Sequence, residues 1–319
     1  MDKYLGQLKK VQLKSKDDES RDLDAAEITE FKSALQRVRW PVTHLLPELV
    51  YSVSALAQGS TKKVMHLKAL NELIDRLLDL HKNGKCRMVF RKVPVDKMVV
   101  LTIMDASFAN EIGSKSQMGF LNLIADALVT TTSSTVNTVE FQSTTITRIV
   151  RSTMAAESAS LSQAVDRQLY LRLLIECMLY GEPDLTKDWR MHLKVPGLVV
   201  TDSKSMFDHL SKSGSIPTER QTLIDLLVAR DLHEQGAVRL FWLPNKHMLA
   251  DVLTKATNPN EVYTRYRDEG LFSLVPTVHQ EEEEARRIAL RQGQRRRAKE
   301  KKQHQKSMDC GKVGKLCHL

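Results

Sequence analysis

The sequence predicts an α/β fold, a mixed sheet preceded by a small helical segment, and three observations carry that reading. Met98–Phe108 (MVVLTIMDASF) is a near-continuous apolar run rich in β-branched residues, the pattern of a strand buried on both faces. Met118–Leu128 and Thr138–Ile149 follow as two further strands across turn-like TTTSST, which makes a three-strand meander. Finally, Pro196–Thr201 leads straight into a helix at Ser203–Leu210, as in a strand-to-helix unit whose first strand runs parallel to its neighbour.

The segment ahead of the sheet reads as three helices. Asp24 with Glu27 three residues on is a capping box, and Ile28, Phe31, Leu35 and Val38 follow at helical spacing until Trp40-Pro41. Pro47 opens a second helix that ends before Gly59, and Thr61–His81 forms a third with Gly84 beyond it. Cys86–Lys92 reads as a short strand. Within the sheet domain the longest helix is Ser152–Tyr180, bounded by Gly181 and Pro183. Another follows Pro217, then a fifth strand Ala237–Leu243, then a helix with Asp251 at its head and a short one from Glu261 to Gly270.

Composition narrows the function classes. Hydrophobic residues at 42%, aromatics at 5% and charged residues at 27% describe a globular chain somewhat short of rings. No apolar run is long enough to span a bilayer, and Met1–Ser20 is too polar for a signal peptide, so the expected location is intracellular, cytoplasmic or nuclear, with no membrane partner. Cys86, Cys177, Cys310 and Cys317 are scattered with no CxxC pair, and with His304 and His318 they fit no familiar zinc spacing. The net charge of +9 is concentrated in residues 281–319, where twelve Lys/Arg face six Asp/Glu, leaving only +3 for the rest. Net charge therefore does not mark the globular part as a nucleic-acid binder, and the tail reads as a solvated charged run.

Four acids stand out by their placement. Asp105 stands at the end of its apolar strand, the first charge on a face that also presents Val99, Leu101 and Ile103, and Asp202 ends its strand in phase with Leu198 and Val200. Glu157 lies on or near the core-facing stripe of the long helix among Ala155, Ala156 and Ala159, and Asp251 sits beside Leu249, Val252 and Leu253. Taken singly, Asp105 also reads as a turn cap and Glu157 as a residue favouring the helix dipole. Together, four converging carboxylates would repel one another unless a cation held them. Oxygen donors with few His or Cys nearby point to magnesium or manganese, and a pair of such ions is a standard means of splitting a phosphodiester.

Five short sequence words then resemble the RNase H domain of copia-type retrotransposon Pol polyproteins. They are Asp105-Ala106-Ser107-Phe108, Ser116 with Gly119-Phe120, Ser152-Thr153 leading to Ala156-Glu157-Ser158-Ala159, Asp202-Ser203, and Leu249-Ala250-Asp251-Val252-Leu253-Thr254-Lys255. Upstream, Phe31–Gln58, including Leu46–Val53, resembles the segment that follows the reverse-transcriptase palm. The resemblance implies an RNase H-like fold with a mixed five-stranded sheet in the order 3-2-1-4-5 and helices on both faces. It divides the chain into a polar leader (1–23), a helical reverse-transcriptase tail (24–94), an RNase H-like domain (95–275) and a charged tail (276–319). It further implies a two-metal hydrolase, using Mg2+ or Mn2+, that cuts the RNA strand of RNA–DNA hybrids. Asp105 would bridge both ions, Glu157 and Asp202 hold one and Asp251 the other, with Ser107 and Ser203 as contacts to 2′-hydroxyls. Reverse transcriptase or other Pol components are the implied protein partners. Two alternatives stay open: a catalytically inactive nucleic-acid-binding relic, and a helical docking surface for a polymerase.

Overall fold

The structure, a computed structural model, describes residues 2–13, 18–184, 186–211, 220–256 and 258–275. The expected charged tail, 276–319, lies outside them. Met1–Leu274 makes one compact unit, and none of its described helices is long and apolar enough to cross a membrane.

After a single turn, α1 (Asp2–Leu5), the helical segment comprises α2 (Ala25–Leu45), α3 (Pro47–Ala57) and α4 (Val64–Lys82). The expected capping box is present: Glu27 N donates to Asp24 Oδ1 at 2.8 Å, and Asp24 N donates to Glu27 Oε2 at 2.9 Å. Pro41, expected to end α2, instead lies inside it. A proline costs the helix a hydrogen bond, but here Pro41 and Val42 are buried among the helices, and that packing carries α2 on to Leu45.

Six strands form one sheet: β1 (Met98–Glu111), β2 (Lys115–Asp126), β3 (Ser134–Thr145), β4 (Gly197–Thr201), β5 (Val238–Trp242) and β6 (Leu271–Phe272). Their order is β5-β4-β1-β2-β3-β6. The pairs β1/β2 and β2/β3 are antiparallel, whereas β1/β4 and β4/β5 are parallel. This is the RNase H-like arrangement, with the expected strand order plus a two-residue edge strand that pairs Leu271 and Phe272 with Thr135 and Ser134. Cys86–Lys92 is not a strand. The side chain of Asn137 takes the place of a ladder there, accepting from Arg91 N at 2.7 Å and donating to Arg91 O at 2.8 Å.

The two faces of the sheet are covered by different parts of the chain. Val99, Leu101, Ile103, Leu121 and Leu123 pack in one core with Leu49 and Val53 of α3 and with Leu249 and Leu253. On the opposite face Met104, Phe120 and Val199 meet α5 (Thr153–Tyr180), α6 (Lys204–Ser211) and α7 (Arg220–Glu234) through Leu161, Met206 and Leu226. Alternation of side chains along β1 assigns each residue to its core. Buried polar groups on α5 dock it to β4 and to the residues leading into β4 and β5: Gln168 Nε2 donates to Leu198 O at 2.7 Å, and Arg172 donates to Val195 O at 2.8 Å and Ala237 O at 2.6 Å. Past β5, the expected last helix is replaced by 3₁₀ turns at Asn245–His247 and Leu249–Leu253. Leu249, Ala250, Val252 and Leu253 are all buried, a pattern a one-sided amphipathic helix would not produce. α8 (Glu261–Glu269) follows, closed by Gly270 in the left-handed conformation.

Candidate metal centre

The site is set by where the parallel ladder stops. β1 pairs with β4 in the register Ile103↔Val200, and β4 ends at Thr201. Two residues further along each chain stand Asp105 and Asp202, level with each other. β1 itself continues to Glu111 alongside β2, with Asp105 opposite Gly119, so Asp105 closes the parallel ladder rather than the strand.

α5 supplies the third carboxylate. Ser152 caps the helix by accepting from Ala155 N at 3.1 Å, and Ser160 Oγ donates to Asp105 O at 2.9 Å, tying the helix to the strand. Ala155, Ala156 and Ser158 are buried and small, which lets this end of the helix lie close to the sheet. Glu157 is consequently buried, and ligand oxygens of Asp105, Glu157 and Asp202 all lie within 4.8 Å of one another. Glu157 Oε2 is buried without a hydrogen-bond partner.

Asp251, in the turn Leu249–Leu253, is not one of this group of three. Its Oδ1 receives Lys255 Nζ at 2.9 Å, and the same ammonium stands 3.4 Å from Asp105 Oδ2. Thr254 Oγ1 donates a short hydrogen bond to that Asp105 oxygen. Asp202 is fixed from two sides: Asn245 Nδ2 donates to its Oδ2 at 3.1 Å, and Trp242 Nε1 to its carbonyl at 3.0 Å. Of the two serines, Ser107 is 3% exposed and its Oγ has no hydrogen-bond partner. Ser203 is half-buried ahead of α6, its N–H donating to Thr201 Oγ1 at 3.0 Å.

Lys255, Thr254, Asn245 and Trp242 had no assigned role in the sequence reading. Lys255 lies four residues after Asp251, the spacing of a helical ion pair, and that was the available signal. The contacts of Thr254 and Trp242 are long-range and leave no local pattern.

The electrostatics reflect burial and crowding of like charges. Burial pushes the Asp105 carboxyl up to about 7, with Lys255 opposing and the Asp202 and Asp251 charges adding to the rise. Burial, then the Asp105 charge, raises Glu157 well above the usual carboxylate range. Asp202 is raised by burial, partly countered by the Asn245 hydrogen bond. Burial disfavours the charge on Lys255, yet Asp105 and Asp251 more than offset it, and its pKa rises. Three carboxylates with oxygens within 4.8 Å of one another, and a buried oxygen of Glu157 lacking any partner, fit a hard divalent cation such as Mg2+ or Mn2+.

No protein-family model matches this chain, and no curated protein matches it. Among solved structures it is similar to the foamy viral protease-reverse transcriptase in complex with an RNA/DNA hybrid, at 11% identity and a TM-score of 0.31 over 49% of this chain and 19% of that one. It is also similar to the foamy viral protease-reverse transcriptase dRH in complex with double-stranded DNA, at 13% identity and a TM-score of 0.40 over 77% of this chain and 36% of that one. The chain thus spans well under half the length of either.

Proposed function

We propose that this chain is a metal-dependent ribonuclease of the RNase H type, which hydrolyses the RNA strand of RNA–DNA hybrids and derives from a copia-type Pol polyprotein. The observation that carries the reading is the trio of buried Asp105, buried Glu157 and partly buried Asp202 at the end of the parallel ladder, with one orphaned carboxylate oxygen on Glu157. The trio would hold Mg2+ or Mn2+, and Asp251 completes the four acids that the resemblance assigns to two ions. A divalent cation bound there supplies Lewis-acid activation of water and neutralises charge on the leaving oxygen.

The chain's own residues do the rest. Asp105 and Glu157, whose carboxyls are held above the usual range by burial and by neighbouring charge, would have their ionised forms favoured by a cation at this site. The Thr254 hydroxyl and the Ser160 bond hold Asp105 in one orientation, while Trp242 and Asn245 do so for Asp202. RNA would be distinguished from DNA by its 2′-hydroxyls. Between the two candidate serines, half-buried Ser203 is the one that a sugar can approach.

The test is cleavage of a labelled RNA–DNA hybrid with Mg2+ or Mn2+ by the full chain and by Asp105→Asn. The expected result is metal-dependent cutting of the RNA strand that is lost in the variant, whose circular dichroism stays that of wild type. No cutting by well-folded wild type under either metal would overturn the enzymatic reading.

A further inference from the structure

Two sides of the carboxylate cluster differ in how their charge is met. On one side, Glu157 Oε2 is buried with no partner, 5% of the residue being exposed, and its neighbours Asp105 and Asp202 bring oxygens within 4.8 Å. On the other, Asp251 and Asp105 already share a cation, because Lys255 Nζ lies 2.9 Å from Asp251 Oδ1 and 3.4 Å from Asp105 Oδ2. The Lys255 side chain is 33% exposed, so it is drawn into the cluster and keeps a path outward. A lysine ammonium is a compact point charge on a flexible stem, the side chain best able to occupy a cation position and leave it.

We propose that Lys255 is a built-in monovalent counter-ion between Asp105 and Asp251, so that the protein at rest holds one divalent cation, at Asp105, Glu157 and Asp202. This rests on the cation-site reading above and narrows it. A second divalent ion binds between Asp105 and Asp251 only when the ammonium swings out. The charges agree with this: four carboxylates, one ammonium and one divalent ion leave a single net negative charge, whereas a second divalent ion with Lys255 in place would put two cations on the same oxygens. Lys255 is then a positioning residue that sets metal stoichiometry.

The experiment is Mn2+ binding to the full chain without nucleic acid, by equilibrium dialysis and electron paramagnetic resonance, for wild type, Lys255→Met, Lys255→Gln and Lys255→Arg. Wild type is expected to bind one Mn2+. Lys255→Met and Lys255→Gln are expected to bind two, with the second site tightened about tenfold or more and spin coupling between the ions. Lys255→Arg, which keeps the charge, returns to one. Equal stoichiometry and affinity in wild type and both neutral variants would overturn the inference while leaving the cation site standing, as would two ions of like affinity in wild type. Absence of any Mn2+ binding by wild type would overturn the cation-site reading itself, which Glu157→Gln checks separately by losing the first ion. Thermal melts of each variant confirm that the fold persists, and using two neutral substitutions keeps the test available if one fails to fold.

Discussion

Gly119 is where a single methyl group should uncouple the fold from its site. It faces Asp105 across the β1/β2 ladder, and a Cβ built there would lie 2.5 Å from Leu253 Cβ and 3.2 Å from Gln142 O. Carbon atoms pack at about 3.5–4.0 Å, so in Gly119→Ala the turn Leu249–Leu253 must retreat by roughly 1 Å. Neither obstacle is the end of a flexible side chain that could turn away. Overpacking of this kind costs about 1–3 kcal/mol, a fall in melting temperature of about 2–4 °C per kcal/mol for a domain of this size. The larger effect falls on chemistry, because the retreating turn carries Asp251 and leads into Thr254 and Lys255, and a displacement of about 1 Å commonly costs on the order of 10²-fold in rate. The assay is hybrid cleavage alongside a thermal melt, with Gly84→Ala as control. Gly84, unlike Gly119, has positive φ, at 68°, and nothing lies within 4 Å of its Cβ position, so that variant should lose some stability through backbone strain and keep its activity. Cleavage by Gly119→Ala within about threefold of wild type would refute the claim that the close approach of Leu253 positions the site.

Two further outcomes are expected. In metal-free buffer, the folded protein binds a proton at Asp105 more tightly than the unfolded chain, since the pKa rises from 3.8 to about 7. Stability therefore falls as pH rises from about 4 to about 7, with Glu157 and Asp202 adding to the fall in the same direction; added Mg2+ should reverse the trend, and Asp105→Asn should make it shallower. A melting temperature in chelator that climbs across that range, and climbs equally in Asp105→Asn, would contradict it. A chain beginning at residue 95 should fail to give a soluble monomer with a cooperative urea transition, because it leaves the Leu101, Ile103 and Leu121 face of the sheet without the α3 side chains Leu49 and Val53. Gel filtration decides the matter, and a monomeric truncation with a sharp transition would refute it.

What could be read from the sequence was what local chemistry repeats. The capping box at Asp24, the β-branched run of β1, the length of α5 and the small residues around Glu157 each leave a pattern within a few positions, and each led to the element observed. The strand order came with the resemblance and not from periodicity. The departures have a common cause in tertiary packing. β1 runs past Asp105 because β2 continues beside it where β4 has stopped, and nothing in residues 98–108 encodes where a distant neighbour ends. Pro41 sits within α2 and is buried there, a placement that its local sequence does not signal. The segment Leu249–Leu253 reads as part of a helix that follows the Pro244-Asn245 turn, yet burial on both sides of Asp251 suits a tight turn wedged between sheet and α3. Lys255 was visible as part of the last sequence word, but its contact with Asp105 spans 150 positions of chain, and only the fold brings the two together.

The helical segment bears on the site through a chain of buried polar contacts as well as through apolar cover. Gln117 Nε2 donates to Ser54 Oγ of α3 at 2.9 Å and to Ser143 Oγ of β3 at 2.8 Å. Ser143 Oγ donates in turn to the carbonyl of Leu253 at 2.5 Å. From there one peptide bond leads to Thr254, whose hydroxyl meets Asp105. A second tie runs through Glu48 of α3, which accepts from Tyr263 of α8 at 3.0 Å and pairs with Arg267. Buried polar groups are costly when left unpaired, so the α3 surface and the segment carrying Asp251, Thr254 and Lys255 have one mutually satisfactory arrangement. In the RNase H-like sheet the carboxylates come from strands and helices that other elements must hold in register. Here α3 serves as one of those elements, which makes residues 47–57 part of the site's support and not a detachable appendage.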